Sequence, residues 1–355
     1  MDKNIILKII EAGNLAPSGG NSQPWKFRVK DNVIEVIALP EKDHPILNYK
    51  NRGTYIAHGA LLENIEIAAN YFGYEMNYQI FPEKDLSLKI IIEKSNKFSE
   101  INNELYEFIF KRHSNRKPFN KGKLEENMKN YLLDSLNDIR YNSADLVFIE
   151  DEEKIKILAD NLAKDVLINF GNYKMHELLF KEILFKEKDQ ANRGGLYIRT
   201  MEVPLVGIFI FKLLKNKKIL NFFKEKGFIT QLYKNSAKTA SSCSLIGGIF
   251  VNDNDEDFIY AGKLMQNIWL RATKLGLGFH LITGIPFLWQ GINFKKNDIF
   301  STEEKDVINN AYLNAVKSFD FQNRNKILAF NFRIGKGEKP SAISYKRPPE
   351  IEWIN

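Results

Sequence analysis

Apolar positions along this chain fall into two rhythms, and the changes between them mark out its elements. From Asn4 to Leu15 they recur at helical spacing, so a short amphipathic helix opens the chain. Two strands follow, Trp25 to Val29 and Val33 to Ala38, joined by a turn at Asp31-Asn32. A stronger helix is predicted from about Thr54 to Phe72, with Leu61, Ile65, Ala68, Ala69 and Phe72 on one face and Gly73 placed to end it. Strands at Met76 to Phe81 and Leu88 to Glu93 complete an α+β opening.

The pattern then starts again. Helices are predicted near Ile101 to Lys111 and Leu124 to Asp138, and a strand at Asp145 to Ile149. A long lysine-rich helical passage comes next, broken at Arg193-Gly194-Gly195 and at Pro204. Order returns with a strand at Ser244 to Val251, whose Gly247-Gly248 step permits close backbone approach, and a helix from about Asp255 to Leu275 closed by Gly276 and Gly278. A strand at Lys326 to Ile334 precedes an extended tail through Ser344-Tyr345-Lys346-Arg347-Pro348-Pro349.

The two long helices resemble each other at a constant offset of 203 residues. Gly59 falls on Gly262, Leu61 on Leu264, Asn64 on Asn267, Ile65 on Ile268, Ala69 on Ala272 and Gly73 on Gly276. Two amphipathic helices share apolar positions by chance, but the glycines and the asparagine are harder to match that way. Helix, loop and strand precede each copy, so the chain reads as two related α+β halves in tandem, 1–100 and 101–355.

Composition narrows the function. With 355 residues, 44% of them hydrophobic, the chain can bury a large core. A single cysteine, Cys243, excludes an internal disulfide and a multi-cysteine zinc site, and the five histidines show no close ligand pairing. Without a signal-peptide pattern at its N-terminus, the protein is expected in the cytoplasm. The formal charge of +7 is spread over helices that also carry Glu and Asp, which argues against a nucleic-acid surface. The longest apolar run, Val203 to Leu214, is too short to span a bilayer. It reads as a buried cover, with membrane-surface contact through Lys212 to Lys226 as the less favoured reading, and no stable membrane insertion is expected.

Four segments carry candidate chemistry. In Pro17-Ser18-Gly19-Gly20-Asn21-Ser22-Gln23-Pro24-Trp25, Ser18, Asn21 and Gln23 supply hydrogen-bond groups of both signs, and Gly19 lets backbone approach a flat ligand. The same loop chemistry also fits a helix-ending turn. Arg112-His113-Ser114-Asn115-Arg116 sets two cations and a hydroxyl within five residues, which suits a phosphate or a solvated basic turn. Lys346-Arg347 adds two more cations, and Thr283-Gly284 a small residue beside which main chain can approach a ring. There is no GxGxxG after a strand, hence no separate nicotinamide-binding domain.

These segments resemble those of the FMN-dependent nitroreductase family, whose loop is very like PSxxNxQPW. The single-chain arrangement is similar to its Acg-like subgroup. The resemblance implies a nitroreductase-like fold in which each half has a central antiparallel sheet flanked by helices, the whole a pseudo-dimer. It also implies FMN, one per chain, because the loop occurs only in the first half and the basic cluster and tail only in the second. On this resemblance Arg112, His113, Ser114 and Arg347, with Lys346 as the weaker tail residue, bind the flavin or its phosphate. Arg116 supports charge on the N1/O2 edge, Thr283-Gly284 meets N5, and Ser18, Gly19, Asn21 and Gln23 orient the ring. The implied activity is ping-pong hydride transfer from NAD(P)H through flavin N5 to a small nitroaromatic, quinone or similar acceptor, with no catalytic side chain. The alternative is an FMN-sequestering protein. The middle, about 166–230, becomes a lid with Tyr197 or Arg199 as candidate covers, and the molecule a monomer acting as a pseudo-dimer, or a loose homodimer.

Overall fold

Asp2 accepts the N–H of Asn4 at 2.9 Å and so starts the first helix, α1 (Lys3–Asn14), whose Ile6, Ile9 and Ile10 turn inward. The computed structural model describes residues 1–95, 99–138, 143–293, 299–323 and 325–354. After α1 come the hairpin β1 (Trp25–Lys30) and β2 (Val33–Ala38), then α2 (Arg52–Tyr71), β3 (Tyr74–Glu83) and β4 (Leu86–Lys94). Next are α3 (Glu100–Lys111), α4 (Glu126–Leu133), α5 (Ser135–Asp138), β5 (Asp145–Ile149) and α6 (Glu152–Leu162). The middle of the chain holds α7 (Asp165–Gly171), α8 (Tyr173–Glu182), the short parallel pair β6 (Ile183–Leu184) and β7 (Leu196–Tyr197), α9 (Leu205–Leu214), α10 (Lys217–Glu225) and α11 (Phe228–Ala240). The last part runs β8 (Leu245–Val251), α12 (Asp255–Lys274), β9 (Gly278–Ile282), α13 (Gly284–Asn293), α14 (Thr302–Ser318), β10 (Ile327–Gly335) and β11 (Ile351–Trp353).

The fold is therefore mixed α and β, with two larger sheets among the described residues. One has the order β11-β1-β2-β4-β3 and the other β5-β8-β10-β9. Their pairings are antiparallel except at β11, which the tail brings back beside β1 in parallel, Phe27 opposite Ile351 and Val29 opposite Trp353. The C-terminal tail thus leaves the second sheet and finishes as a strand of the first.

Between the sheets lie α2 and α12, each with fifteen buried residues of twenty, so both helices are enclosed nearly all round. A Cβ on Gly59 would overlap the carbonyl of Ile259, and one on Gly262 would overlap the carbonyl of Ile56. Adding 203 to 56 and 59 gives 259 and 262, so the close approach is reciprocal. The polar pairs follow the same rule: Gln266 Nε2 donates to Asn64 Oδ1 at 2.7 Å, and Asn267 Nδ2 donates to Glu63 Oε1 at 2.8 Å. Buried amides and a carboxylate are tolerated here because each side chain makes one of these bonds, Gln266 Oε1 alone among their atoms being left without one. Lys263 is also buried and lies 3.4 Å from Glu63 and 2.5 Å from Glu66. Burial opposes its charge, but these carboxylates outweigh burial and hold its pKa above the usual lysine value.

One core joins the two sheets across α2 and α12, and a second gathers on α6, α13 and α14. The middle segment has a small core of its own, built from residues such as Phe170, Phe180, Ile198, Phe211 and Leu214. The Gly247-Gly248 step receives the rings of Phe332 and Phe319, so its close approach is to core aromatics. One expectation is corrected. The apolar run Val203 to Leu214 is only half a cover: Phe211 and Leu214 point inward, while Leu205, Val206 and Phe209 stand in solvent. Among the described residues no helix is long and apolar enough to cross a membrane.

Candidate functional site

A cavity of about 830 Å³ opens where the early loop, α2, α12, the end of β9 and the tail meet, with the middle segment forming its far wall. That is near the upper end of the range for organic ligands and cofactors. Ser18, Gly19, Asn21, Arg112, His113, Ser114, Arg116, Thr283, Gly284 and Lys346 all line it. Gln23 and Arg347 do not.

The loop is built by its backbone. Gly20, Asn21 and Gln23 all have φ between 51° and 54°, a left-handed conformation that glycine and asparagine adopt at least cost. Ser18 Oγ accepts the Gln23 N–H at 2.9 Å and closes the turn. Trp25, the aromatic stop, is buried in the core with its indole N–H on Asn14 Oδ1.

Side chains expected to orient a ring instead stitch the loop to the tail. Asn21 Nδ2 donates to the Tyr345 carbonyl at 2.8 Å, Gln23 Oε1 accepts the Arg347 N–H at 2.9 Å, and an Arg347 guanidinium N–H donates to the Ser22 carbonyl at 2.6 Å. Arg347 thus spends one guanidinium nitrogen on the loop backbone, its Nε being buried without a hydrogen-bond partner, and Lys346 is the tail cation that lines the cavity.

Around Lys346 the charge is one-sided. Arg112 stacks its guanidinium 4.4 Å from the centre of the Trp269 ring and donates to the Leu15 carbonyl at 2.9 Å, while its Nε has no hydrogen-bond partner. Burial lowers the Arg112 pKa to about 10. Lys346 falls well below the usual lysine value, first through burial and then through the neighbouring Arg112 and Arg347. Among the described residues no carboxylate pairs with Arg112 or Lys346. An anion bound between them would offset the cost of burying both charges.

Further along the wall, Arg116 donates to the Thr200 carbonyl at 3.0 Å, a direct tie between the basic cluster and the middle segment. Burial lowers its pKa, partly offset by Glu202. Fully buried Arg333 donates to the carbonyls of Thr239, Ser242 and Lys117 and to His280 Nδ1 at 3.1 Å. His280 is consequently held neutral, its pKa depressed by burial and by Arg333 and Arg116. His113 sits at the edge with Nδ1 on the Lys111 carbonyl.

Three carboxyls on the cavity wall have no sequence signature. Asp43 takes hydrogen bonds from Ser22 and Thr54, yet burial raises its pKa to about 6. Glu182 lies opposite Gly20 and rises to about 7, through burial and then through Asp43. Asp165, at the start of α7, is raised to about 7 by burial and rests directly against the Cα side of Gly284, which only a residue without a side chain can allow. The candidate covers are also revised: Tyr197 belongs to the middle segment's core and Arg199 is exposed, whereas Leu196, Thr200, Met201 and Phe211 line the cavity. Among the described residues no cluster of His, Cys, Asp and Glu could hold a metal ion.

No family model matches the chain. A Mycobacterium tuberculosis protein, uncharacterized protein MT1398, is 23% identical over 273 residues, which is 76% of this chain and 37% of that protein. The chain thus spans little more than a third of the length of this curated relative. Among solved structures, a BluB-like flavoprotein from Clostridium difficile 630 aligns with 69% of this chain and 94% of its own, at 13% identity and a TM-score of 0.37. A nitroreductase with bound FMN from Bacteroides fragilis NCTC 9343 aligns over the same shares at 10% identity and a TM-score of 0.36. Likeness at this level leaves fold family and cofactor to be judged on the chain's own residues.

Proposed function

We propose that this chain binds one FMN in the cavity and acts as a flavin oxidoreductase, taking hydride from NAD(P)H and passing it to a nitroaromatic, quinone or similar small acceptor. One observation carries the reading: Arg112 and Lys346 both line a cavity of cofactor size, neither forms an ion pair among the described residues, and Arg112 Nε is unpartnered. A phosphate dianion would satisfy both. When bound, FMN supplies reversible hydride transfer at N5, chemistry that no side chain here can perform. The chain's own part is to hold and to screen. Arg112 and Lys346, with the Ser114 hydroxyl, hold the phosphate; Arg116 faces negative charge on the ring edge. Thr283-Gly284 lines the cavity with main chain, the side-chain space of Gly284 being taken by Asp165, and Met201 and Phe211 exclude water from the middle-segment wall.

The same reading makes the chain a nitroreductase-like pseudo-dimer of halves 1–100 and 101–355, either monomeric or loosely paired, and cytoplasmic. The reciprocal contacts of α2 and α12 support the first part, and lone buried Cys243 fits the reducing compartment. The deciding experiment is the absorbance spectrum of the purified protein. A flavin spectrum at one FMN per polypeptide is expected; a colourless protein that ignores added FMN overturns the assignment. A sequestering role is the second reading, favoured by the separate core of the middle segment and by the Arg116–Thr200 tie, which hold that segment closed. Anaerobic NADH or NADPH separates the two, because rapid bleaching belongs to the oxidoreductase alone.

A further inference from the structure

Apart from Lys212, the helix α9 is apolar on every side, yet only one side is buried. Phe211 and Leu214 enter the middle segment's core, while Leu205, Val206 and Phe209 are 77%, 76% and 64% exposed. A helix apolar all round belongs inside a protein or in lipid, and this one lies on the surface. Leu213 extends the exposed row along the helix at i+4 from Phe209, and Phe222 on α10 is 57% exposed. Around these side chains the charge is mainly of one sign. Glu202 and Glu225 bound the stretch, but from Val203 to Lys224 there is no Asp or Glu, and Lys212, Lys215, Lys217 and Lys218 are exposed and form no ion pair among the described residues.

We propose that the α9–α10 face docks on the surface of an anionic lipid bilayer, with Leu205, Val206 and Phe209 entering the interface and the lysines meeting the headgroups. Exposed apolar side chains beside a mainly cationic rim are the combination that binds such surfaces, and neither helix is long enough to span. An apolar protein partner would not require four lysines without ion pairs around the contact. The inner side of α9, through Gly207, Ile210 and Phe211, is cavity wall. On the flavoprotein reading, the docked face brings the cavity to a lipid-soluble acceptor; the docking itself does not depend on bound flavin.

Flotation of the full chain with vesicles tests this, with and without added FMN. The expected result is binding to phosphatidylcholine–phosphatidylglycerol vesicles, little binding to phosphatidylcholine alone, and release at about 0.5 M salt, where charges are screened within a few ångströms. Val206→Ser with Phe209→Ser, and separately Lys215→Glu with Lys218→Glu, should each weaken binding by about tenfold or more. No flotation with anionic vesicles, equal flotation with both vesicle types, or unchanged binding by both variants overturns the proposal. So does a dimer, detected by light scattering, that Phe209→Ser dissolves, since the face then belongs to a second copy of the chain. The substituted side chains are exposed, and unfolding curves matching the parent's verify that each variant folds.

Discussion

Gly59 rests against the backbone carbonyl of Ile259, with no room between them for a methyl group. The obstacle is backbone in the middle of a buried helix, so it cannot rotate aside as a side chain would. Gly59→Ala should force α2 and α12 apart and lower stability by roughly 1–3 kcal/mol or more, the range for overpacking a closed core. Gly73→Ala is the comparison, because it has open space around it and bears only the strain of φ at 81°. Thermal unfolding of both variants checks the point: a Gly59→Ala midpoint no lower than that of Gly73→Ala would contradict this account of the interface.

Lys346 and Arg347 are adjacent, and they should fail differently. Lys346→Ala removes a cation from the cavity and is expected to weaken FMN binding by roughly 10- to 100-fold, the size of a lost hydrogen bond to a charged group. Unfolding without FMN should barely change. Arg347→Ala removes the guanidinium bond to Ser22, so the loop and tail lose a fastening and stability falls even without ligand. Flavin titration and thermal unfolding, measured on both variants, separate the roles.

Asp165 gives a pH dependence whose sign is fixed. Its folded pKa of about 7 lies above the ordinary aspartate value of 3.8, so between those values the folded state holds more protons than the unfolded one. Stability from this group is therefore complete below about pH 4 and is lost as pH rises through 7. His58, held near 4 by burial, works the opposite way over pH 4 to 6.5. The useful quantity is thus a difference between proteins. Asp165→Asn should unfold at a higher temperature relative to the parent at pH 8 than at pH 5, and a gap independent of pH would contradict the burial argument.

The elements out to Gly73 are legible because period and terminator coincide there. The predicted strand Val33 to Ala38 has the bounds found in the structure, and the helix predicted from Thr54 differs by two residues at its start. β9 and α13 are hidden by their punctuation: a five-residue strand sits between Gly278 and Gly284, and Pro286 falls in the first turn of α13, where proline is tolerated but reads as a breaker. α14 does carry a readable start, since Ser301 and Glu304 form a capping box. β11 has three residues and exists through the tail's return to β1, which no local pattern encodes. The basic cluster and Thr283-Gly284 are visible as local chemistry, and the structure gathers them around one cavity. That Arg347 is tied to the loop while Lys346 lines the cavity is not visible, because it depends on a hydrogen bond spanning 325 residues of sequence. Asp165 is equally silent, since its burial arises from packing against Gly284.

Gly194 offers a way to open the cavity without touching its charges. A Cβ there would come within 2.9 Å of the Asn21 carbonyl oxygen and the Ser22 Cα, both backbone atoms of the rigid early loop. A branched side chain must therefore push the 192–196 stretch outward, because the loop is fixed by its bonds to the tail. Gly194→Val is expected to release bound FMN several times faster and to increase proteolytic cleavage near Arg193, with little change in the unfolding of the two-sheet core. If the closed middle segment also limits turnover, the same variant should be reduced faster by NAD(P)H despite holding its flavin less tightly. Unchanged FMN release together with unchanged cleavage would mean that this contact does not keep the segment closed, and the Arg116–Thr200 tie would have to do so instead.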